Sequence, residues 1–365
     1  MRRAATTVVA LLAVLLLYLL LWPVPVDPVA WDAPEDRGLT GVFAPNDWLR
    51  NAEAIDLGLH EGPEDVALGP DGFLYASSHG GSILKISPDD GNVSVFSRVG
   101  GRPLGIEFDS DGSLLVANAY LGLQRVSRDG DVSLLLSEID GQPLVYADDV
   151  DVAADGTVYF SEASTKFGAE AADGTLDASL LDILEHGGNG LIVAFDPADG
   201  TARVVLDGLN FANGVAVSED QQYLLIAETG SYRILKHWLA GPSAGETEVL
   251  IDNLPGFPDN INNGLNGRFW VGLVSPRSAL LDRYSASPFI RKVMQRLPAF
   301  VRPKPIPSSH VIAINGDGQV LMDLQDPRAT YPMLTGVLET RTKLYLSSLV
   351  GQALPVLDKD ELAPR

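Results

Sequence analysis

The sequence predicts an all-β protein, a six-bladed β-propeller built from four-stranded antiparallel blades. First, a nine-residue frame with alternating apolar and other residues occurs six times. Second, four of the six copies close on Asp-Gly or Asn-Gly, which favour tight hairpins, and an apolar strand-like segment follows every copy. Third, the unit repeats every ~40 to 75 residues, as propeller blades do. The frames are Glu64–Gly72, Leu104–Gly112, Asp148–Gly156, Asn213–Gln221, Asp259–Gly267 and Thr335–Lys343.

The predicted propeller covers residues 52–362 and forms one closed domain, for which an apolar fraction of 46% is ample. Blade one is assigned to Glu53–Val99. Two insertions, residues 164–189 and 275–309, interrupt blades three and five on the face where the frames begin. Loops of this length in compact domains are usually functional lids or disordered. We therefore expect both insertions to overhang the mouth of the channel.

The second insertion contains a basic amphipathic stretch at residues 288–301. Apolar residues at helical spacing occupy one face of it. Three cations lie on the other face: Arg291, Lys292 and Arg296. Three interpretations remain open. The stretch is a helix packed on the rim of the propeller, a cap over the channel, or a contact with an anionic membrane surface.

The first residues predict a membrane anchor. Met1-Arg2-Arg3 precedes an almost unbroken apolar run, Ala4–Trp22, whose length just spans a hydrocarbon core. Arginines before the run and acidic residues after it favour a propeller on the extracytoplasmic side, whether periplasmic, extracellular or lumenal. We therefore expect residues 1–22 to be a single-pass transmembrane helix and residues 23–51 a linker. A cleaved signal peptide is the alternative.

Composition and motifs exclude several classes of function. A net charge of −22 argues against nucleic-acid binding, which requires a basic surface. The chain contains no cysteine, so disulfides and thiolate metal sites are excluded. No P-loop, dinucleotide fingerprint or zinc motif is present. The chemistry is therefore sought among oxygen-bearing side chains.

The residue that opens each frame should face the channel axis at the same height. These six residues are Glu64, Leu104, Asp148, Asn213, Asp259 and Thr335. Carboxylates that converge on one axis repel each other unless a cation lies between them. Oxygen ligands without cysteine or histidine indicate calcium. The pattern therefore predicts a Ca²⁺ ion in the channel.

Three segments resemble the strictosidine synthase-like proteins and, more distantly, the paraoxonases and the SMP-30 gluconolactonases. They are GPEDVALGPDG, the block from VYFSEASTKF to LNFANGVAVS, and LPGFPDNIN. The resemblance covers about residues 52–362. It implies a six-bladed propeller and, in the hydrolytic branches of the family, a calcium ion in the channel.

Matching frame to frame, the resemblance implies which residues hold the ion. The implied calcium ligands are Glu64, Asp148, Asn213, Asp259 and Asn260. Asp259 is also the expected general base that activates water. A second calcium ion is implied at Asp65 and Asp149. For this pair the alternative is hydrogen bonding to backbone amides without a metal.

Two departures from the family patterns bear on function. The histidine pair of the paraoxonases corresponds here to Leu104 and Ala119, and the catalytic glutamate of strictosidine synthase corresponds to Thr335. We predict a calcium-dependent hydrolase that acts on a small-molecule ester or lactone. The alternatives are a non-catalytic, calcium-stabilised binding or scaffold propeller and a strictosidine synthase-like lyase or condensing enzyme. Runners-up for proton transfer are Glu162, Glu228, His79 and His186.

Overall fold

Six four-stranded antiparallel sheets form a ring around a channel in the computed structural model, which describes residues 2–362. Met1, part of the predicted anchor, lies outside the described residues. The first strands of successive blades adjoin one another in chain order, and the last adjoins the first. This arrangement confirms the predicted six-bladed propeller.

The strands are numbered along the described part of the chain. Blade six includes β1 (Glu53–Asp56). Blade one contains β2 (Val66–Leu68), β3 (Leu74–Ser78), β4 (Ser82–Ile86) and β5 (Val93–Arg98). Blade two contains β6 (Pro103–Phe108), β7 (Leu114–Asn118), β8 (Gly122–Val126) and β9 (Val132–Leu136), and the short hairpin β10 (Glu138–Ile139) and β11 (Gln142–Pro143) follows it. Blade three contains β12 (Ala147–Val152), β13 (Val158–Glu162), β14 (Gly190–Asp196) and β15 (Thr201–Leu209).

The second half of the ring repeats this order. Blade four contains β16 (Ala212–Val217), β17 (Tyr223–Glu228), β18 (Arg233–Trp238) and β19 (Thr247–Ile251). Blade five contains β20 (Gly256–Asn263), β21 (Arg268–Pro276), β22 (Ser309–Asn315) and β23 (Val320–Asp326). Blade six continues with β24 (Leu334–Glu339), β25 (Lys343–Ser348) and β26 (Ala353–Asp358).

Both ends of the propeller domain contribute to blade six. Strand β1 pairs antiparallel with β26, from Glu53 opposite Val356 to Asp56 opposite Ala353. The assignment of Glu53 to blade one is therefore wrong. A repeat read along the chain places each strand with the frame that follows it, whereas closing the ring places β1 beside the last blade.

The first strands of blades two to six each contain a break in register at the same place. A β-bulge of this kind turns side chains away from the regular pleat. The residues in the breaks open the frames: Leu104-Gly105, Asp148-Asp149, Asn213-Gly214, Asp259-Asn260 and Thr335-Gly336. In blade one, Glu64 and Asp65 directly precede β2. The bulges therefore direct the frame-opening side chains toward the channel.

The N-terminal helix α1 (Arg2–Leu21) is not a transmembrane segment. Within the described residues, no helix has the length and apolarity needed to cross a membrane. Arg3 and the two threonines stand in its first turns, and the apolar run from Val8 to Leu21 rises only about 21 Å, against a hydrocarbon core of about 30 Å. The prediction of a single-pass anchor, and the localisation that depended on it, is therefore wrong.

Residues 23–51, which the sequence predicts as a linker, lie against the propeller, and we call them the strap. Val26 is 2% exposed and packs into an apolar cluster with residues of the first insertion. Trp31 stacks on His186 with ring centroids 4.0 Å apart. Farther along, Asn46 Nδ2 donates a hydrogen bond of 2.7 Å to Asp323 Oδ2 in blade five. The strap therefore connects α1 to the rim through defined contacts.

The two insertions form three helices near the start of the frames. The first insertion contains α2 (Thr175–Glu185), and the second contains α3 (Ala279–Arg283) and α4 (Pro288–Arg296). Helix α4 contacts both α2 and α1. Its Arg296 donates to the carbonyl groups of Trp22 and Leu19, and thus holds the end of α1. The basic stretch is therefore part of a cap and not a helix on the outer rim.

Candidate functional site

Five side chains from four blades meet at one end of the channel, and we call them the oxygen ring. They are Glu64, Asp148, Asn213, Asp259 and Asn260, each 0 to 7% exposed. Asn213 Nδ2 donates to Asp259 Oδ1 at 2.6 Å, and Asn260 Nδ2 donates to Glu64 Oε1 at 3.0 Å. The structure therefore brings together all five residues that the sequence predicts as ligands. Their role as metal ligands stays a prediction.

Four buried oxygen atoms of the ring lack a hydrogen-bond donor within residues 2–362. They are Glu64 Oε2, Asp148 Oδ2, Asn213 Oδ1 and Asn260 Oδ1. The amide nitrogens of both asparagines donate to carboxylates, which leaves both amide oxygens unpaired. A buried polar atom without a partner costs about 1–3 kcal/mol. Four such oxygens in one place form a cradle that suits a cation.

The charge balance of the ring also favours a cation. Burial, followed by the charges of Asp259 and Asp148, raises the pKa of Glu64 well above its ordinary value. Burial and the charge of Asp259 also raise the pKa of Asp148. Burial raises the pKa of Asp259 to about 7, although the hydrogen bond from Asn213 opposes the shift. Three ionised carboxylates in this place therefore destabilise the protein unless positive charge joins them.

Arg102 supplies part of that positive charge. Its side chain is 1% exposed and its charge lowers the pKa values of Glu64 and Asp148. Nη1 donates to the carbonyl of Gly62 at 3.4 Å, while Nε and Nη2 have no partner within the described chain. A Cβ atom at position 62 would lie 3.2 Å from Nη2, so glycine makes room for the guanidinium. Arg102 lies beside the ring without a direct ion pair to it.

Residues two positions before the frames of blades three to six form the wall above the ring. Tyr146, Phe211, Phe257 and Met333 hold this position in blades three to six, and all four line the cavity described below. Tyr146, Phe211 and Met333 directly precede the first strands of their blades, and Phe211 and Met333 have left-handed backbone conformations. The wall residues therefore share a fixed offset from the frames and not the alternation of the strands. Arg102 holds the same position in blade two.

A cavity of about 540 Å³ lies between the oxygen ring and the two insertions. Its volume and its mainly apolar walls suit a small organic ligand. Tyr146 Oη donates to the carbonyl of Thr175 at 2.9 Å and so links the wall to the start of α2. The insertion residues that line the cavity include Leu176, Leu180, Leu181, Leu281, Met294, Arg302 and Lys304. The insertions thus cover the ring and enclose space for a substrate.

The predicted second metal pair, Asp65 and Asp149, is satisfied by hydrogen bonds. Asp65 accepts from the Ile106 backbone N–H at 3.0 Å and from the side chain of Asn262 at 2.9 Å. Asp149 accepts from two backbone N–H groups, both at 2.9 Å, one of which belongs to Val215 in the next blade. These bonds join blade one to blades two and five and blade three to blade four, and they favour the metal-free alternative for this pair.

Glu162 and Glu228, the runners-up for the general base, do not line the cavity. Glu162 Oε1 accepts from the backbone N–H groups of Val145 and Tyr146 at 2.7 and 2.9 Å. Glu228 Oε1 accepts from the backbone N–H of Asn210 at 3.0 Å. Both carboxyl groups therefore hold the segments that carry the wall residues.

The histidines and Thr335 also lie outside the cavity. Neither His79 nor His186 lines it, and burial lowers the pKa of His186 to about 4. Leu104 and Ala119, which replace the paraoxonase histidines, are buried in the apolar cluster around the wall. Thr335 Oγ1 donates to the carbonyl of Glu64 at 2.6 Å, a structural contact between blades six and one.

The described chain contains no cluster of three or more His, Cys, Asp or Glu side chains suited to a metal ion. Besides its carboxylates, the oxygen ring offers the unpaired amide oxygens of Asn213 and Asn260.

Comparison with known families and proteins gives consistent matches. The family model of strictosidine synthase matches residues 148–242, and that of the strictosidine synthase-like N-terminal region matches residues 41–86. Strictosidine synthase-like protein 6 of Arabidopsis thaliana is 35% identical over 309 residues, which cover 83% of this chain and 80% of the relative. Human adipocyte plasma membrane-associated protein is 32% identical over 353 residues, covering 89% and 82%.

Similar solved structures include a gluconolactonase from Xanthomonas campestris and the calcium-binding protein regucalcin from Agrobacterium tumefaciens. The first has a TM-score of 0.61 at 19% identity and covers 92% of this chain and 98% of its own. The second has a TM-score of 0.57 at 14% identity and covers 84% and 93%. At these identities the likeness supports the fold alone.

A change of one ring carboxylate should have opposite effects with and without calcium. In chelator, Asp148→Asn should unfold at a temperature about 2 °C or more above that of the wild type, because one of three repelling charges is removed. In millimolar calcium the order should reverse, because the ion loses a charged ligand. Differential scanning calorimetry measures both. Asp140→Asn, in an exposed turn, should change the melting temperature in neither buffer. The same order in both buffers would contradict a cation site.

The stability of the chelated protein should depend on pH through Asp259. Its folded pKa of about 7 exceeds the ordinary value of 3.8, so the folded carboxyl retains a proton that the unfolded one has lost. Between about pH 4 and 7 this contribution to stability falls as pH rises, by at most about 1.4 kcal/mol per unit. An asparagine side chain does not titrate, so Asp259→Asn should gain on the wild type as pH rises in urea titrations. If the free energies of unfolding of Asp259→Asn and the wild type differed by a constant amount from pH 5 to 7.5, this would contradict a buried Asp259 carboxyl group with a raised pKa.

Proposed function

The chain belongs to the strictosidine synthase-like family, and from this premise and the oxygen ring we propose that it is a calcium-dependent hydrolase of esters or lactones. The observation that carries the proposal is the set of four unpaired, buried oxygens at the floor of an apolar cavity. The name of one structural neighbour refers to a gluconolactonase and that of another to calcium binding. Both names fit the proposed chemistry.

The residues present fit a calcium ion. Glu64, Asp148, Asn213 and Asn260 each offer an unpaired oxygen, and Asp259 adds a third carboxylate. Hard oxygen ligands in a mixture of carboxylates and amides are those that calcium prefers. When bound, the ion would neutralise the carboxylates and polarise a carbonyl oxygen as a Lewis acid.

Asp259 is the residue that we assign to remove a proton from water. Its Oδ1 is held by Asn213 Nδ2 at 2.6 Å, which fixes the carboxyl group and leaves Oδ2 for this work. The side chain lines the cavity and is 7% exposed, so a water molecule beside it is shielded from bulk solvent. Without a metal ion, burial raises the pKa of Asp259 to about 7, and the charge of a bound cation would lower the pKa and favour the ionised form that a general base requires.

The wall and the lid supply binding and exclude water. Tyr146, Phe211 and Phe257 present aromatic surfaces above the ring, and α2 covers them with leucines. An apolar acyl or aryl group buried there gains about 25 cal/mol for each Å² of surface removed from water. The reacting carbonyl group would then face the ring, where a bound cation would polarise it.

A binding propeller without turnover is the second candidate. It is favoured by Leu104 and Ala119, which leave apolar surface where the paraoxonases have their histidine pair. No histidine lines the cavity among the described residues. A condensing activity of the strictosidine synthase type is disfavoured, because Thr335 is fully buried and bonded to the backbone of Glu64.

Turnover of simple esters and lactones tests the proposal. Phenyl acetate and a δ-lactone should be hydrolysed with calcium present, and chelation should abolish the activity reversibly. Asp259→Asn should lower kcat about 100-fold or more, as loss of a general base does. Asp140→Asn, at an exposed residue that does not line the cavity, should retain wild-type kinetics. A calcium-dependent rise in melting temperature with no turnover of any ester or lactone would support the binding propeller instead.

A further inference from the structure

The second insertion concentrates positive charge, and most of it has a structural task. Arg291 is 1% exposed and donates only to backbone carbonyl groups of the strap and the insertions. Lys292 pairs with Asp27 at 2.6 Å, and Arg296 binds the end of α1. These three cations fasten the cap and are not available to a ligand.

Arg302 and Lys304 differ from those three. Both line the cavity, and neither has a carboxylate within 4.0 Å in the described part of the chain. Arg302 uses Nε to donate to the carbonyl of Leu297 at 2.8 Å, which leaves its other guanidinium nitrogens free of protein acceptors among those residues.

The two cations lie nearer to solvent than the ring does, and Arg302 is half-buried. Lys304 is exposed, whereas the ring is buried. The rest of the cavity lining is mainly leucine, aromatic and methionine side chains. The cavity therefore has a carbonyl-orienting floor, an apolar middle and a cationic mouth.

The mouth is not cationic on every side. Asp173 and Asp177 also line the cavity, at the exposed start of α2. Acidic residues are favourable at the first turn of a helix, which accounts for Asp177 without a ligand. Both would repel an anion, so an anionic group at the mouth is directed to the side of the second insertion.

We infer that the substrate is an anionic amphiphile, an ester or lactone on an apolar chain whose far end carries a carboxylate or a similar anion. This inference rests on the proposed function for the ester or lactone. The recognition of an apolar chain with an anionic end depends only on the cavity. Arg302 and Lys304 bind the anionic end, and the apolar walls hold the chain. Specificity then lies in the second insertion and not in the ring.

Ligand binding to the protein in the presence of a calcium chelator tests this recognition without any turnover. Octanoate and 1-octanol serve as probes in isothermal titration calorimetry, because they share a chain and differ in charge. The double variant Arg302→Gln/Lys304→Gln should weaken octanoate binding about 3- to 10-fold, as expected for partly exposed ion pairs, and leave octanol binding unchanged. Arg341→Gln, an exposed arginine in a turn of blade six, should change neither. Equal weakening of both probes, or no weakening of octanoate, would overturn the inference.

A kinetic arm separates this inference from the proposed hydrolase. With calcium, the double variant should raise KM about 3- to 10-fold for the 4-nitrophenyl monoester of octanedioic acid, an anion, and not for neutral 4-nitrophenyl octanoate. Charge-dependent octanoate binding with no hydrolysis of either ester would sustain the recognition and refute the hydrolase. Hydrolysis of both esters with KM values indifferent to the double variant would refute the recognition and sustain the hydrolase.

Discussion

The electrostatic repulsion among three buried carboxylates is the constraint on which the insertion-covered end of the channel depends. Glu64, Asp148 and Asp259 come from blades one, three and five, and bulges or strand starts direct them to one place. Arg102 relieves part of the repulsion but forms no ion pair with them. A stability-driven design would replace such a cluster with apolar residues, since unpaired buried charge is costly. The presence of this carboxylate cluster would be explained by the proposed cation, which the proposed hydrolysis uses.

The rest of the top face isolates this cluster from water. Tyr146 joins the wall to α2 at Thr175, and the other end of α2 is fastened by Glu185, whose side chain accepts from the Asp27 backbone N–H at 2.6 Å. Arg291 then ties α4 to the same segment. The first insertion is thus held at both ends, by the wall and by the strap. Low exposure of the ring follows from this connected cap, and low dielectric strengthens every charge interaction beneath it.

The sequence predicts the propeller because its signals are local and repeated. Alternation marks each blade, and Asp-Gly or Asn-Gly turns mark four of the six, so the frame-opening residues of the ring follow from the repeat. Asn260 follows only from the family resemblance. The wall residue Phe211 stands at a fixed offset before its frame, but its left-handed backbone lies outside the alternation of the strand. By contrast, Glu53 reaches blade six only through ring closure, and Arg102 depends on the space left by Gly62 in the neighbouring blade. Local sequence patterns do not predict contacts between blades.

The N-terminal segment shows a second limit of local patterns. Hydropathy alone predicts an anchor for residues 1–22, yet the apolar part of α1 is short and Arg296 binds its last carbonyl groups. The strap that follows has the proline content of a linker but buries Val26 beneath the cap. The composition of residues 1–51 therefore does not predict their position, which is set by their contacts with the insertions and the propeller.

The amount of calcium bound by the purified protein tests the central claim most directly. After equilibration in micromolar calcium and removal of free ion, element analysis should find about one calcium ion per chain, and Glu64→Gln/Asp148→Asn should retain almost none while remaining folded by circular dichroism. Absence of bound calcium in the wild type, or an undiminished calcium content in the folded double variant, would contradict the claim that the oxygen ring is a cation site.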